Sequence, residues 1–426
     1  MDLEMINVGK VNYAKIKFNG VTVIAGENNT GKSTVGKMLF CIFHAFYKIE
    51  EQVADERIKS VSRVLAHYNS ETTNMFFRRI DTRGFAKKII SQREEFLKNR
   101  ELLEKEITNF LLIREKSFER YISQESFGQL LERIETVLKI DDSELRKILL
   151  RKRLEAEFSM KIGHLNNIEK ETKVTVYIKD CCIDFEIIKN EDVAINNYIS
   201  LNKEIIYMDD PYILDDVGTW NLYGEDFSHR QDMVVKLLGR KKAFDFTLVD
   251  ELVVKKKLEK ILKLMDDICD GSIVRDDSGN FIFQSAKLNN SLEMVNLSTG
   301  MKSFVILRRL LETGKMEENG ILILDEPEIH LHPEWQLKFA ECIVLIQKEF
   351  GINILLNTHS PYFLNAVEVY SEKYGIEKKC EYYLTDESDE GLIVKEVTGH
   401  TEEIYAKLAS PLQKLEDLEY RNDNTI

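Results

Sequence analysis

The chain has 426 residues, 43% of them hydrophobic, and a formal net charge of −14. That length and apolar content allow a sizeable core in one to three domains, and no run approaches the ~18–20 apolar residues of a membrane span. The negative balance argues against a surface coated in basic groups for nucleic acid, though it leaves room for a local basic groove. The six cysteines, at 41, 181, 182, 269, 342 and 380, form no CxxC pair, and residues 1–8 carry two acids before any base. This is the pattern of reduced thiols without a secretory signal, and it predicts a cytoplasmic location.

Residues 16–25 are rich in β-branched side chains around Asn19-Gly20 and predict two strands joined as a hairpin. The run Gly26-Glu27-Asn28-Asn29-Thr30-Gly31-Lys32-Ser33 follows the second strand, fits GxxxxGK[ST] and opens an amphipathic helix at Thr34. Residues 48–170 are glycine-poor and charged, with Phe96, Leu103, Ile107 and Phe110 at helical spacing. They read as a long helical insertion with breaks at Gly84, Gly128 and Gly163. A coiled coil is one reading; an ordinary helical subdomain is the other, because the heptads lapse at Arg93, Arg100 and Arg114. Strands are predicted at 173–178, 183–188 and 204–208, and helix over 227–270. A strand pair at 273–274 and 281–283 flanks the turn Asp277-Ser278-Gly279-Asn280. The runs 321–324 and 352–356 are continuous and apolar, as in a buried parallel sheet. Two strands, 381–384 and 392–397, and a helix from Thr401 close the pattern, with 386–390 a surface turn.

Four segments carry chemistry. In the loop of Gly26, Asn28, Asn29, Thr30, Gly31, Lys32, Ser33 and Thr34, glycines let the backbone wrap a phosphate while helix-start amides point inward. Lys32 would then neutralise the β- and γ-phosphates of ATP, and the Ser33 hydroxyl would ligate Mg²⁺. The strand Ile321-Leu322-Ile323-Leu324 ends in Asp325-Glu326: Asp325 would hold the Mg²⁺ opposite Ser33, and Glu326 would polarise the attacking water. Leu297-Ser298-Thr299-Gly300-Met301-Lys302 precedes a helix, so Ser298 is a candidate N-cap, and Ser298, Thr299 and Gly300 a second anion site. His359, after the strand end, is either a catalytic sensor of the γ-phosphate or an ordinary structural histidine.

Phosphate loop, long helical insertion, an LSGGQ-like signature, an Asp-Glu-Pro strand and a switch histidine, in this order, resemble ABC-type ATPases of the chromosome-maintenance and DNA-repair group. Leu324-Asp325-Glu326-Pro327-Glu328-Ile329-His330-Leu331-His332-Pro333-Glu334-Trp335-Gln336, with Thr358-His359-Ser360-Pro361, looks more like the overcoming-lysogenization-defect ATPases. The resemblance covers residues 1–34 and 291–370; the middle matches in layout alone. It implies an α/β fold, an ABC-type head with a mixed sheet around the phosphate loop. The head would comprise 1–47 and 171–426 as two lobes, with 48–170 the helical insertion. It also implies that Ser298, Thr299 and Gly300 act in trans on ATP held by a second copy, in a head-to-tail homodimer or a higher oligomer.

Three departures stand out. Thr299 replaces a signature glycine, His332 falls where the D-loop Asp is usual, and no Q-loop glutamine is evident. Asp209-Asp210 occupies that last place, with either acid a candidate near Mg²⁺. His330 and His332 beside Glu328 also permit a metal reading, against structural or D-loop roles. Some relatives add a TOPRIM nuclease, but the stretch after Cys380 has room only for two strands and a helix. TOPRIM-less chains of this kind resemble the ATPase subunits of anti-phage systems such as Septu and PARIS, which implies a separately encoded effector, a nuclease or toxin. The alternative is a RecF- or SMC-type repair ATPase binding DNA directly. Its candidate contacts are Arg146, Lys147, Arg151, Lys152 and Arg153, and Arg240, Lys241 and Lys242, each cluster otherwise a solvated face. A transporter subunit fits poorly with the insertion.

Overall fold

In the computed structural model, the described residues are 1–72, 81–112, 124–159, 162–163, 170–190, 192–218, 228–239, 248–285, 287, 289–388 and 391–423. Strands β1 (Asp2–Val8), β2 (Val11–Lys17) and β3 (Val21–Ala25) lead into α1 (Lys32–Phe46). Then come α2 (Ile49–Thr72), α3 (Thr82–Ser91), α4 (Arg93–Lys98), α5 (Arg100–Leu112), α6 (Gln124–Lys139) and α7 (Asp142–Phe158). Strands β4 (Thr172–Ile178), β5 (Cys181–Ile188), β6 (Asp192–Asn197) and β7 (Ile205–Met208) precede α8 (His229–Leu238) and α9 (Leu248–Met265). A small sheet, β8 (Ser272–Arg275), β9 (Phe281–Gln284) and β10 (Leu292–Glu293), is followed by α10 (Thr299–Glu312), β11 (Ile321–Asp325) and α11 (Pro333–Phe350). The last elements are β12 (Asn353–Thr358), α12 (Pro361–Tyr374), β13 (Cys380–Ser388), β14 (Gly391–Glu396) and α13 (Glu402–Asp423). The chain divides into two compact units, one of Met1–Tyr47 with Leu150–Ile426, the other Lys48–Leu149.

The first unit is α/β. Its main sheet runs β6-β5-β4-β1-β2-β14-β13-β3-β12-β11-β7. The segment β13-β3-β12-β11-β7 is parallel throughout, whereas β6-β5-β4-β1-β2 is antiparallel. Composition follows this division. All five residues of β3 and of β11 are buried, as in a sheet covered on both faces, while β2 alternates between buried and exposed positions. Phe304 of α10, Phe339 of α11 and Phe363 of α12 are fully buried in the core beside the parallel strands. Phe304 meets Phe339 edge to face, with ring centroids 5.2 Å apart.

Residues 16–25 do not form the expected hairpin. The chain turns at Gly20, yet β2 takes β14 as its second neighbour and β3 takes β13 and β12. A strand buried at every position gains more from two buried parallel neighbours than from one edge partner. The strand pairs β4–β5 and β8–β9 are antiparallel, as their sequences suggest.

In the unit Lys48–Leu149, the helically spaced apolar residues converge on one cluster containing Val61, Phe85, Phe96, Leu103, Ile107 and Ile134. Its helices run from 6 to 24 residues. The buried Arg57 donates to the carbonyls of Val137 (2.7 Å) and Ile140 (2.5 Å), closing the C-terminus of α6. Gly84 lies in the first turn of α3, where the Asp81 side chain accepts from its amide, and Gly128 lies inside α6, so neither breaks a helix. Gly163 lies outside any helix. No helix among the described residues is long and apolar enough to cross a membrane.

Because Phe339 is fully buried between aromatic neighbours, we expect Phe339→Ala to cost ~3–5 kcal/mol. Urea denaturation followed by circular dichroism would measure it.

Candidate nucleotide site

Parallel pairing brings the chemical segments to one edge of the sheet. Ala25 pairs with Thr358 and with Leu384, Asn357 with Asp325, and Leu324 with Met208. Gly26, His359, Glu326 and Asp209 therefore leave from adjacent strand ends, with Thr385 beside them on β13. Ligands of open α/β sheets gather at this carboxyl edge.

The loop after β3 ends at Gly31, the N-cap of α1. The Lys32 side chain is buried. Its ammonium donates to the carbonyls of Gly26 (3.0 Å) and Glu27 (2.8 Å) and lies 3.5 Å from Glu326 Oε1. Asn28, Asn29 and Ser33 are exposed and Thr30 and Thr34 half-buried. Lys10 holds Asn29 through its Oδ1 (2.5 Å), and the Thr385 hydroxyl donates to Thr30 Oγ1 (2.7 Å). Gly26 is tied to that last contact, since a Cβ there would overlap Thr385 Oγ1 and φ is +152°. A loop of exposed polar groups, a helix start and a buried ammonium together make an anion site.

Asp325 is buried at the end of β11. Tyr207 donates to its Oδ2 and Asn357 to its Oδ1, each at 2.9 Å. With both oxygens oriented and the Ser33 hydroxyl exposed, this oxygen donor set suits Mg²⁺ shared with phosphate oxygens and water. Glu326 adopts φ +49°, a left-handed backbone costing ~1–2 kcal/mol for a residue with a Cβ. Its amide donates to Asn357 O (2.9 Å), which helps to hold the turn. That turn sets its carboxylate 3.5 Å from Lys32 Nζ and 3.5 Å from His359 Nδ1. Glu328, fully enclosed behind this segment, accepts from the Thr358 hydroxyl and from the His359 amide (3.3 Å). Burial holds its carboxyl above the usual range.

Ser298 is the N-cap of α10 by backbone geometry, without a side-chain capping bond. Thr299 donates to the Tyr212 hydroxyl (3.0 Å), and the buried Lys302 pairs with Asp215 (2.5 Å). Gly300 allows a close approach: a Cβ there would sit 2.8 Å from the His330 carbonyl. The signature helix thus packs directly on the loop that follows Glu326. His332 caps α11 by accepting from the Glu334 amide (3.4 Å), and His330 stands edge-on to Tyr212. No group of three or more metal-ligating side chains occurs among the described residues. Of the basic candidates, Arg146, Lys147 and Arg151 have acidic partners in Glu50, Glu144 and Glu155, and Arg153 is buried. Arg240, Lys241 and Lys242 lie outside the described residues.

Sequence reasoning passed over two residues. Thr385 carries no motif and reaches the phosphate loop only through strand pairing. His229, on α8, is buried with Nδ1 2.8 Å from Glu157 Oε2 and Nε2 2.9 Å from Asp209 Oδ2. Its ring stacks on Tyr207, centroids 4.4 Å apart. Asp210 instead caps the turn after β7 and pairs with Arg230 (3.0 Å).

Burial lowers the proton affinity of His229, but the hydrogen bonds and charges of Asp209 and Glu157 outweigh it and raise the pKa from 6.5 to about 9. Stabilisation from the charged ring is therefore complete below 6.5 and lost as pH rises through about 9. Across that window the melting temperature should fall more steeply for the wild type than for His229→Gln, as calorimetry in matched buffers would show.

Residues 203–365 match a family described as "AAA domain, putative AbiEii toxin, Type IV TA system". Over 107 residues the chain is 33% identical to the Retron Vc95 probable ATPase of Vibrio cholerae serotype O1 biovar El Tor, covering 22% of this chain and 20% of that protein. It is 27% identical over 134 residues to the Septu protein PtuA of Bacillus thuringiensis, covering 28% of this chain and 33% of that one. The chain thus aligns with a third or less of the length of these relatives. A solved SMC head bound to the C-winged helix domain of ScpA covers 93% of this chain and 96% of its own at 10% identity, with a TM-score of 0.44. Over part of its length the chain is thus similar to proteins named as probable ATPases.

Proposed function

We propose that the chain binds Mg·ATP at the edge formed by β3, β12, β11 and β7 and hydrolyses it to ADP and phosphate. The observation that carries this reading is the placement of Glu326 within 3.5 Å of both Lys32 and His359 by three adjacent parallel strands. Lys32 would leave the Gly26 and Glu27 carbonyls for the β- and γ-phosphates. Mg²⁺, held by Ser33 and Asp325, would supply positive charge to those phosphates. Glu326 would accept a proton from the attacking water as the water oxygen bonds to the γ-phosphorus and the bond from that phosphorus to the β–γ bridging oxygen breaks, ADP leaving with the bridging oxygen, and His359 would contact the phosphate released. Ser298, Thr299 and Gly300 would complete the site of a second copy, head to tail.

In this reading the two nucleotide states govern a separately encoded effector, a nuclease or toxin, in cytoplasmic anti-phage defence. Support comes from the motif resemblance to Septu-type ATPases and from the similarity to retron and Septu proteins. The ion pairs on Arg146, Lys147 and Arg151 weigh against direct DNA binding as the main role.

The purified chain should hydrolyse ATP and leave plasmid DNA intact. Lys32→Ala should lose ATP binding, and Glu326→Gln should bind ATP while hydrolysing it ~10²–10⁴-fold more slowly. Normal turnover by Glu326→Gln, or plasmid cleavage by the pure chain, would count against the assignment. Composite sites have their own test. Mixing Lys32→Ala with Ser298→Arg should restore part of the hydrolysis that each lacks alone, and mixed dimers without any recovery would exclude a head-to-tail site.

A further inference from the structure

We infer that His229 is a positioning residue for the metal side of the nucleotide site, an inference that rests on the ATPase reading above. One ring serves two acids. Directly, its Nε2 lies 2.9 Å from Asp209 Oδ2, while Glu157 anchors the opposite ring nitrogen at 2.8 Å and also accepts from the His229 amide at 2.6 Å. Indirectly, the ring lies flat against Tyr207, whose hydroxyl donates to Asp325 Oδ2.

The geometry links these contacts. Asp209 follows β7 and Asp325 ends β11, and the register pairs Met208 with Leu324, so the two acids sit at neighbouring strand ends. A cavity of about 30 Å³ opens between them, walled by Asp209, Asp325, Glu326 and Ser303. That is room for a water molecule, which needs ≳10–15 Å³ and several polar partners. His229 stands beside Asp209, with Nε2 2.9 Å from Oδ2, and Glu157 fixes where the ring stands. Tyr207 is fully buried, with Phe40 beside it at 6.2 Å and His229 on its face. Packing therefore holds the ring in place and keeps its hydroxyl oxygen 2.9 Å from Asp325 Oδ2. Loss of the imidazole would free both the Tyr207 ring and the Asp209 carboxylate.

Outer partners of metal-binding carboxylates typically change metal affinity or activity ~10–100-fold when removed. In the test, a fluorescent ATP analogue is titrated onto the full chain without divalent metal, and then Mg²⁺ is titrated onto the complex. His229→Gln should bind the analogue without metal as the wild type does, but need ~10–100-fold more Mg²⁺ for half-saturation. Its kcat should fall while KM for ATP holds. Asp267→Asn, an exposed acid that pairs with Lys338, should leave the Mg²⁺ curve in place. If His229→Gln fails to fold, Tyr207→Phe carries the same test, since it keeps the ring and removes only the donor to Asp325; it should shift the Mg²⁺ curve in the same direction. A folded His229→Gln, or a Tyr207→Phe standing in for it, with an unshifted curve would overturn the inference and leave the ATPase reading standing. A wild-type chain that binds no analogue would overturn both.

Discussion

Asn357 occupies the rung on which the nucleotide edge depends. It is fully buried on β12; its side-chain amide donates to Asp325, and its carbonyl accepts the Glu326 amide. One residue further, Thr358 stands opposite Ala25, the last residue before the phosphate loop. A single strand therefore sets the spacing between the phosphate loop on one side and the paired acids on the other. A slip of one residue would turn every side chain of β12 to the opposite face and separate these groups. Buried polar groups in such an arrangement are costly when unmatched, so the register and the chemistry hold each other in place.

Charge follows a second constraint. Three buried basic side chains of the first unit meet acids: Lys302 with Asp215, Lys236 with Asp232, and His229 with two carboxylates. Lys32 differs, because it spends two of its hydrogen bonds on backbone carbonyls and only approaches Glu326. Carbonyl partners are exchangeable for stronger phosphate partners at little loss, whereas a tight carboxylate pair would have to be broken. The lysine is thus stable in place and still open to an anion.

How much was legible in the sequence depended on how local each signal was. The loop between β3 and α1, the apolar strand ending in Asp325 and the strands β4, β5, β8, β9 and β12 could be read from neighbouring residues. Strand order could not. The expected hairpin at 16–25 failed because β13 lies beside β3, with Ala25 and Thr385 in contact across 360 residues of chain. Helical periodicity was visible in the second unit, yet it could not distinguish an extended arm from a compact cluster, since both need apolar residues every three or four positions. His229 gave no signal, for its partners Glu157 and Asp209 lie on other elements and form no motif with it.

The sheet order also has a bearing on how the molecule is made. β3 is buried along its whole length and apolar but for Thr22, and its neighbours β12 and β13 belong to the far end of the chain. At ~5–20 residues per second, a ribosome needs roughly 20–70 s to travel from one to the other. Throughout that interval the segment Val21–Ala25 has both edges open, the condition under which apolar strands pair with the wrong chain. The helices of Lys48–Leu149, whose partners are closer in sequence, can collapse meanwhile. Folding of the nucleotide edge is therefore a late event of synthesis, and a nascent chain stalled before β12 is a species that needs a chaperone.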